Sequence, residues 1–254
     1  MNSYRKLCTE FYDLDKPAPS PEALALYRTY ASQASGCILE PMCGSGRFLL
    51  PLLAEGYAVE GVDASPDMIR ACREHGARRG LEPTIYEQLL EELDLPHRYG
   101  LVFIPAGSFG LLTDLSRAST ALARIHAHME ADAPLVVEVE RLVPFTPERW
   151  RGRWVERPGD GARIAISQLT RYDEARSVLE SIHRYELFRD GQLLETEWEE
   201  LNVRLYEPAE FATLLAGSGF VDVRQLDDTG LGDEGAMLFE CRRPQAAGPT
   251  LAAQ

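Results

Sequence analysis

"ILEPMCGSGRFLL", residues 38–50, decides how the rest of this chain is read. An apolar run meets Glu40 and Pro41, passes Gly44 and Gly46, and resumes as a second apolar run from Phe48. That order hands a buried strand to a helix around a bound nucleotide. The glycines let a ligand approach the backbone, and unpaired N–H groups converge where the helix begins. Met42 stands where many such loops carry a further glycine. Leu49 stands where a dinucleotide loop wants its third.

Outward from this loop, the elements alternate. Ser20 and Pro21 cap and open a helix over 21–34. After the loop come a helix closed by Gly56, the strand "YAVEGVDAS", a helix from Pro66 to Gly80, and strands at "PTIYEQ" and "GLVFIPA". A helix at "SRASTALARIHAHMEA" and a fifth strand at "APLVVEVE" complete the run. Buried Val/Ile/Leu strands alternating with helices predict a Rossmann-like α/β fold, its sheet mostly parallel and covered by helices on both faces. Residues 205–242 add a helix and two last strands, giving seven in all.

Between them the grammar changes. Residues 142–204 alternate at period two, with turns at 158–161 and at Asp190-Gly191. They predict an antiparallel insertion after the fifth strand. The expected organisation is a helical segment at 1–35, a nucleotide-binding domain at 36–141 and 205–242, a substrate lid at 142–204 and a disordered tail at 243–254. With Asp190-Gly191 as a two-residue turn, Leu187 faces Leu194, Tyr185 faces Thr196, and His183 faces Trp198, all on one inward side.

Bulk properties narrow the partners. The 254 residues are 45% hydrophobic and carry a formal charge of -14, which gives no electrostatic footprint for nucleic acid. The five cysteines are scattered, with no CxxC pair and no histidine at ligand spacing, the pattern of reduced thiols in a cytoplasmic protein without a metal site. His126 and His128, two apart on one helix, face different ways. Neither a signal peptide nor a membrane-spanning run is present in the sequence. The expected partner is a small molecule, and the expected assembly a monomer or homodimer.

At the glycine loop and at "VEGVDASPDMIRACRE" the sequence resembles the class I S-adenosylmethionine-dependent methyltransferases. The resemblance covers about residues 36–141 and 205–242, ending in "YEPAEFATLLAGSGFVDVRQL". It implies that S-adenosyl-L-methionine is the cofactor. Gly44 and Gly46 would line its methionine part, Glu40 would act near its ammonium, and Asp63 would hold the ribose diol. Met68 or Ser65 would sit by the adenine, and Tyr12 in "FYDLDKP" near the sulfonium. Three residues depart from the family's pattern: Met42, Gly100 and Leu89. Leu89 replaces an acid that takes the adenine amino group, so that contact passes to the backbone near Leu89 or Leu90.

A nicotinamide-dependent oxidoreductase is the rival reading. Leu49 breaks its glycine pattern, and Glu40 would crowd a pyrophosphate where a sulfonium and an ammonium would be welcome. A non-catalytic cofactor-binding interaction protein is the third. On the acceptor side, Ser108 and Phe109 end the fourth strand, where a transferred methyl group would emerge. The proline–aromatic signature of nucleobase amine methylation is absent there. Methyl transfer from a sulfonium is an in-line displacement, helped mainly by alignment and exclusion of water. The expected acceptor is N or O of a small metabolite, without a metal. His183 and Tyr185 are the candidate catalytic groups, and Arg47 either contacts substrate or caps carbonyls.

Overall fold

A computed structural model describes residues 4–144, 149–226 and 235–245. The proposed tail at 243–254 falls largely outside them. Seven strands form one sheet: β1 (Ile38–Pro41), β2 (Val59–Asp63), β3 (Ile85–Glu87), β4 (Leu101–Ile104), β5 (Pro134–Glu140), β10 (Val221–Leu226) and β11 (Ala236–Arg242). Their order is β10-β11-β5-β4-β1-β2-β3, and only β11 runs against the rest. The mostly parallel α/β sheet expected from the sequence is what forms.

Period-two alternation divides each central strand between two cores. Ile38, Leu101, Phe103 and Val136 face α2 (Pro21–Gln33), α3 (Leu49–Ala54) and α4 (Pro66–Arg78). Leu39, Val102, Ile104, Leu135 and Val137 face α5 (Leu115–Ala127) and α6 (Pro208–Gly217). Short polar side chains start the helices. Ser20 accepts from Ala23 N at 3.1 Å, Ser65 from Met68 N at 3.2 Å, and Asp114 from Ser116 N and Arg117 N. Gly100 now has a reason: a Cβ there would lie 1.6 Å from the Ser35 carbonyl oxygen, so no side chain fits. None of the described helices is long and apolar enough to cross a membrane.

The insertion is a separate four-stranded antiparallel sheet of β6 (Arg151–Glu156), β7 (Arg163–Asp173), β8 (Val178–Arg189) and β9 (Gln192–Arg204), paired in that order. Its inward face packs on α1 (Lys6–Asp15), burying Leu7, Cys8 and Phe11 among Ile164, Ile166, Tyr185 and Leu187. The expected hairpin register holds only at the turn. Arg189 pairs with Gln192 and Phe188 with Leu193, but Leu187 pairs with Glu195. Leu194 is thus the extra residue of a bulge, and one slipped residue reverses every later side chain of β9. Trp198 therefore turns outward opposite Arg184, half exposed, with the guanidinium 5.5 Å from its ring. Glu197 and Glu199 turn inward in its place.

Those two carboxylates explain why α1 is a helix where "FYDLDKP" read as a lead-in segment. Its N-terminus has no local side-chain cap. Instead Glu199 accepts from Tyr4 N at 3.0 Å and Arg5 N at 2.6 Å, and Glu197 from Cys8 N at 3.0 Å and Leu7 N at 3.3 Å. Charge and hydrogen bonding both favour carboxylates at this end of a helix.

Candidate cofactor cleft and its family

A cleft opens at the carboxyl ends of β1, β2 and β4, where an open parallel sheet carries its ligand. Tyr12, Glu40, Gly44, Asp63, Ser65, Met68, Leu89, Leu90 and Ser108 all line it. Gly46 does not. Its φ of +84° and the 2.5 Å from a built Cβ to Cys72 Sγ make it the residue that lets the loop turn and lie against α4. Met42 also lines the cleft and takes φ +59°, a left-handed turn uncommon for a residue with a side chain.

Asp63 is the centre of the wall. One carboxylate oxygen accepts from Gly44 N and the other from Ser65 N, each at 2.8 Å. Burial raises its pKa above the ordinary value, while these backbone N–H groups pull it back. Each oxygen keeps a further lone pair for the cleft. Glu40, 2% exposed, lies one strand away. Burial pushes its carboxyl well above the usual carboxylate range. The Arg47 guanidinium opposes that rise, the Asp63 charge adds to it, and Leu49 N donates to the carboxylate. Its Oε2 is buried without a partner.

Arg47 runs beside it, its guanidinium 5.5 Å from the Tyr12 ring and 5.2 Å from the Phe48 ring, its Nε buried and unpartnered. An orphaned carboxylate oxygen and an orphaned guanidinium nitrogen at one end of a cleft match a ligand carrying both an ammonium and a carboxylate. The residues therefore fit the amino-acid end of S-adenosylmethionine, with Asp63 spaced one strand further for a diol. A pyrophosphate would meet two carboxylates.

Two hydroxyls are committed elsewhere. Ser65 Oγ donates to the Tyr4 carbonyl at 2.8 Å and caps α4, while Ser108 Oγ donates to the Pro105 carbonyl at 2.9 Å. Both shape the wall through the backbone they hold. The sequence reading missed Tyr4, Glu91 and Arg117, which also line the cleft. Tyr4 comes from the residues just before α1, Glu91 from the turn after β3 and Arg117 from the first turn of α5, and no local pattern marks them.

The structure places His183 and Tyr185, the expected catalytic groups, outside the lining of this cleft. No described residue of the insertion lines it, because α1 lies between. The Tyr185 hydroxyl is 3.3 Å from Cys8 Sγ and 3.2 Å from His183 Nδ1, and its ring packs 5.6 Å from Phe11. Burial lowers the His183 pKa against the opposing pull of Glu199, leaving a neutral ring in a packed interior. Changing either to Phe is expected to leave turnover within about threefold while lowering stability by about 1–2 kcal/mol, read by parallel kinetic and urea-unfolding series. A hundredfold fall in kcat would return them to the catalytic set.

Comparison with known proteins agrees with the geometry. Residues 38–132 match the methyltransferase domain family. A curated relative, dTDP-3-amino-3,6-dideoxy-alpha-D-glucopyranose N,N-dimethyltransferase of Streptomyces fradiae, is 29% identical over 136 residues, 51% of each chain. A putative methyltransferase of Geobacillus sp. is 26% identical over 112 residues, so the match spans about half the length of these relatives. Solved structures share the fold across nearly the whole chain. An S-adenosylmethionine-dependent methyltransferase from Clostridium acetobutylicum has a TM-score of 0.75 at 12% identity, covering 92% of this chain and 97% of its own. A sugar N-methyltransferase from Streptoalloteichus sp. reaches 0.72 at 20% identity, covering 89% and 88%. Residues 38–132 thus match the methyltransferase domain family, and the sheet order, with an acid at the end of each of the first two strands, is the fold of solved S-adenosylmethionine-dependent methyltransferases.

Proposed function

We propose that this protein transfers a methyl group from S-adenosylmethionine to nitrogen of a small molecule, with an amino sugar as the favoured acceptor class. The observation that carries the reading is the buried, unpartnered Oε2 of Glu40 beside Arg47, one strand from Asp63. Glu40 and Arg47 would hold the ammonium and carboxylate of the donor, Asp63 its ribose hydroxyls, and Gly44 its close approach to the loop. Tyr4, Tyr12, Met68, Leu89 and Leu90 would enclose it. When bound, the donor supplies an electrophilic methyl on a sulfonium.

The chain's part is to align and to exclude water. Tyr4, just before α1, and Tyr12, on it, make a T-shaped contact with 6.2 Å between centroids at the wall of the cleft. Among the described residues lining it there is no histidine or lysine to remove a hydroxyl proton. An amine reacts through its own lone pair once it arrives neutral. The curated relative's acceptor is an amino sugar.

Calorimetric titration should show binding of S-adenosylmethionine and its demethylated product, and none of NAD; NAD binding alone would overturn the proposal. The pH dependence follows from Glu40. With its pKa raised in the free protein, the carboxyl is protonated at low pH and must lose that proton to meet a cation. Affinity should therefore climb as pH rises from the ordinary carboxylate value to the raised one, then level off. Proton release, read from titrations in two buffers of different ionisation heat, should vanish in Glu40→Gln.

A further inference from the structure

We propose that His75 is a positioning residue, its charged ring tying α1 to the glycine loop and so fixing two walls of the donor cleft relative to each other. The effect on binding rests on the methyl-donor reading. The tie between helix and loop stands without it.

α4 meets the loop through two residues on one of its faces. Cys72 lies against Gly46, and three residues later His75 Nδ1 lies 3.3 Å from the Ser45 carbonyl oxygen. The other ring nitrogen, Nε2, lies 3.2 Å from Asp13 Oδ2, in the last turn of α1. Asp13 follows Tyr12, and Ser45 stands between Gly44 and Gly46. Burial raises the Asp13 carboxyl above its ordinary value, while a hydrogen bond from the Ser45 side chain and the His75 charge draw it down. Helix, loop and ring thus close a triangle. Asp63 holds the loop at Gly44 from β2, and His75 holds it at Ser45 from α4.

A carbonyl and an ionised carboxylate can only accept. A neutral imidazole has one N–H, so one of the two contacts would set lone pair against lone pair; the imidazolium donates to both. The last turn of α4 also favours a cation at His75. Lys16, Arg47, Arg78 and Arg79 line the same recess, and Glu10 acts on Asp13 from α1. Asp13 is the one carboxylate among the described residues lining it, so without Asp13 only like charge would remain there for the ring. The side chains of His75 and Asp13 are 24% and 19% exposed, which lets water screen the pair and keeps its effect modest. The contact needs Asp13 ionised and His75 protonated. It therefore fails as pH rises through the range in which imidazole loses its proton.

Calorimetric titration of S-adenosylhomocysteine into wild type, His75→Gln, Asp13→Asn and the double variant, at about pH 6 and about pH 8.5, tests the tie. At the lower pH each variant should bind roughly three- to tenfold more weakly than wild type, and the double variant no more weakly than either single one. At the higher pH the gap should close to within about twofold. Comparing each variant with wild type at the same pH cancels the titration of Glu40, which all four proteins share. Hydrogen exchange of α1 in the ligand-free proteins, corrected for the intrinsic rate at each pH, should show the variants losing protection at the lower pH only. A gap of equal size at both pH values, additive losses in the double variant, or unchanged protection of α1 overturns the proposal. Failure of wild type to bind S-adenosylhomocysteine overturns the methyl-donor reading, and the exchange series then decides the tie by itself.

Discussion

Asp63→Ala should weaken binding of S-adenosylhomocysteine by at least about a hundredfold while the protein stays folded. Two losses add. The ribose diol loses a charged acceptor, worth about 1.5–3 kcal/mol for each hydrogen bond made. Gly44 N and Ser65 N also lose the carboxylate that aligns them, so the loop closing the donor's path is no longer held at its first glycine. Because Asp63 is buried with its pKa already raised, its charge carries a desolvation cost that folding alone does not offset. Its removal therefore costs binding more than it costs stability. Calorimetry together with urea unfolding separates the two, and an affinity within threefold of wild type would remove Asp63 from the site.

Replacing Glu197 and Glu199 together by Ala should release α1 and open the cleft. The pair holds four N–H groups at the start of α1, and Glu199 also lies 3.7 Å from Arg5 Nε. The loss leaves a helix of ten residues with no cap, too short to persist without its tertiary anchors. About 3 kcal/mol of local stability is at stake, from a helix cap and a largely buried carboxylate. Tyr12 rides on this helix into the cleft, and Tyr4 enters it from the residues just before the helix. Hydrogen exchange of residues 4–15 should accelerate, and affinity for the donor should fall at least tenfold although no cleft residue has changed. Normal protection of α1 in the double variant would show that apolar packing on the insertion suffices.

The insertion thus acts on the cleft at one remove. Its sheet buries Tyr185, Leu187 and Ile164 against α1, and α1 with the residues that lead into it presents Tyr12 and Tyr4. Acceptor chemistry is therefore expected to depend on α1 and on the turns after β3 and β4. Each of these is set by what packs behind it.

Much of the fold was legible because it rests on local signals. Strand, acid, Gly-x-Gly, helix, strand and acid follow one another within 26 residues, from Ile38 to Asp63. Each step has a local cause: buried β-branched runs, glycines with positive φ, and Ser-Pro helix starts. The sequence by itself therefore determined the parallel sheet, the cleft above it and the charges at Glu40 and Asp63 that suit a cationic donor. Tertiary structure alone decided the rest. A single bulge at Leu194 exchanged Trp198 for Glu197 and Glu199 on the inward face, and no residue pattern in the hairpin marks it. Caps for α1 come from about 190 residues away, so its helicity has no local signature. Glu91 lines the cleft in contact with Arg117, from another element. Where the cause lies between neighbours in sequence, the sequence states it; where it lies between neighbours in space, only packing does.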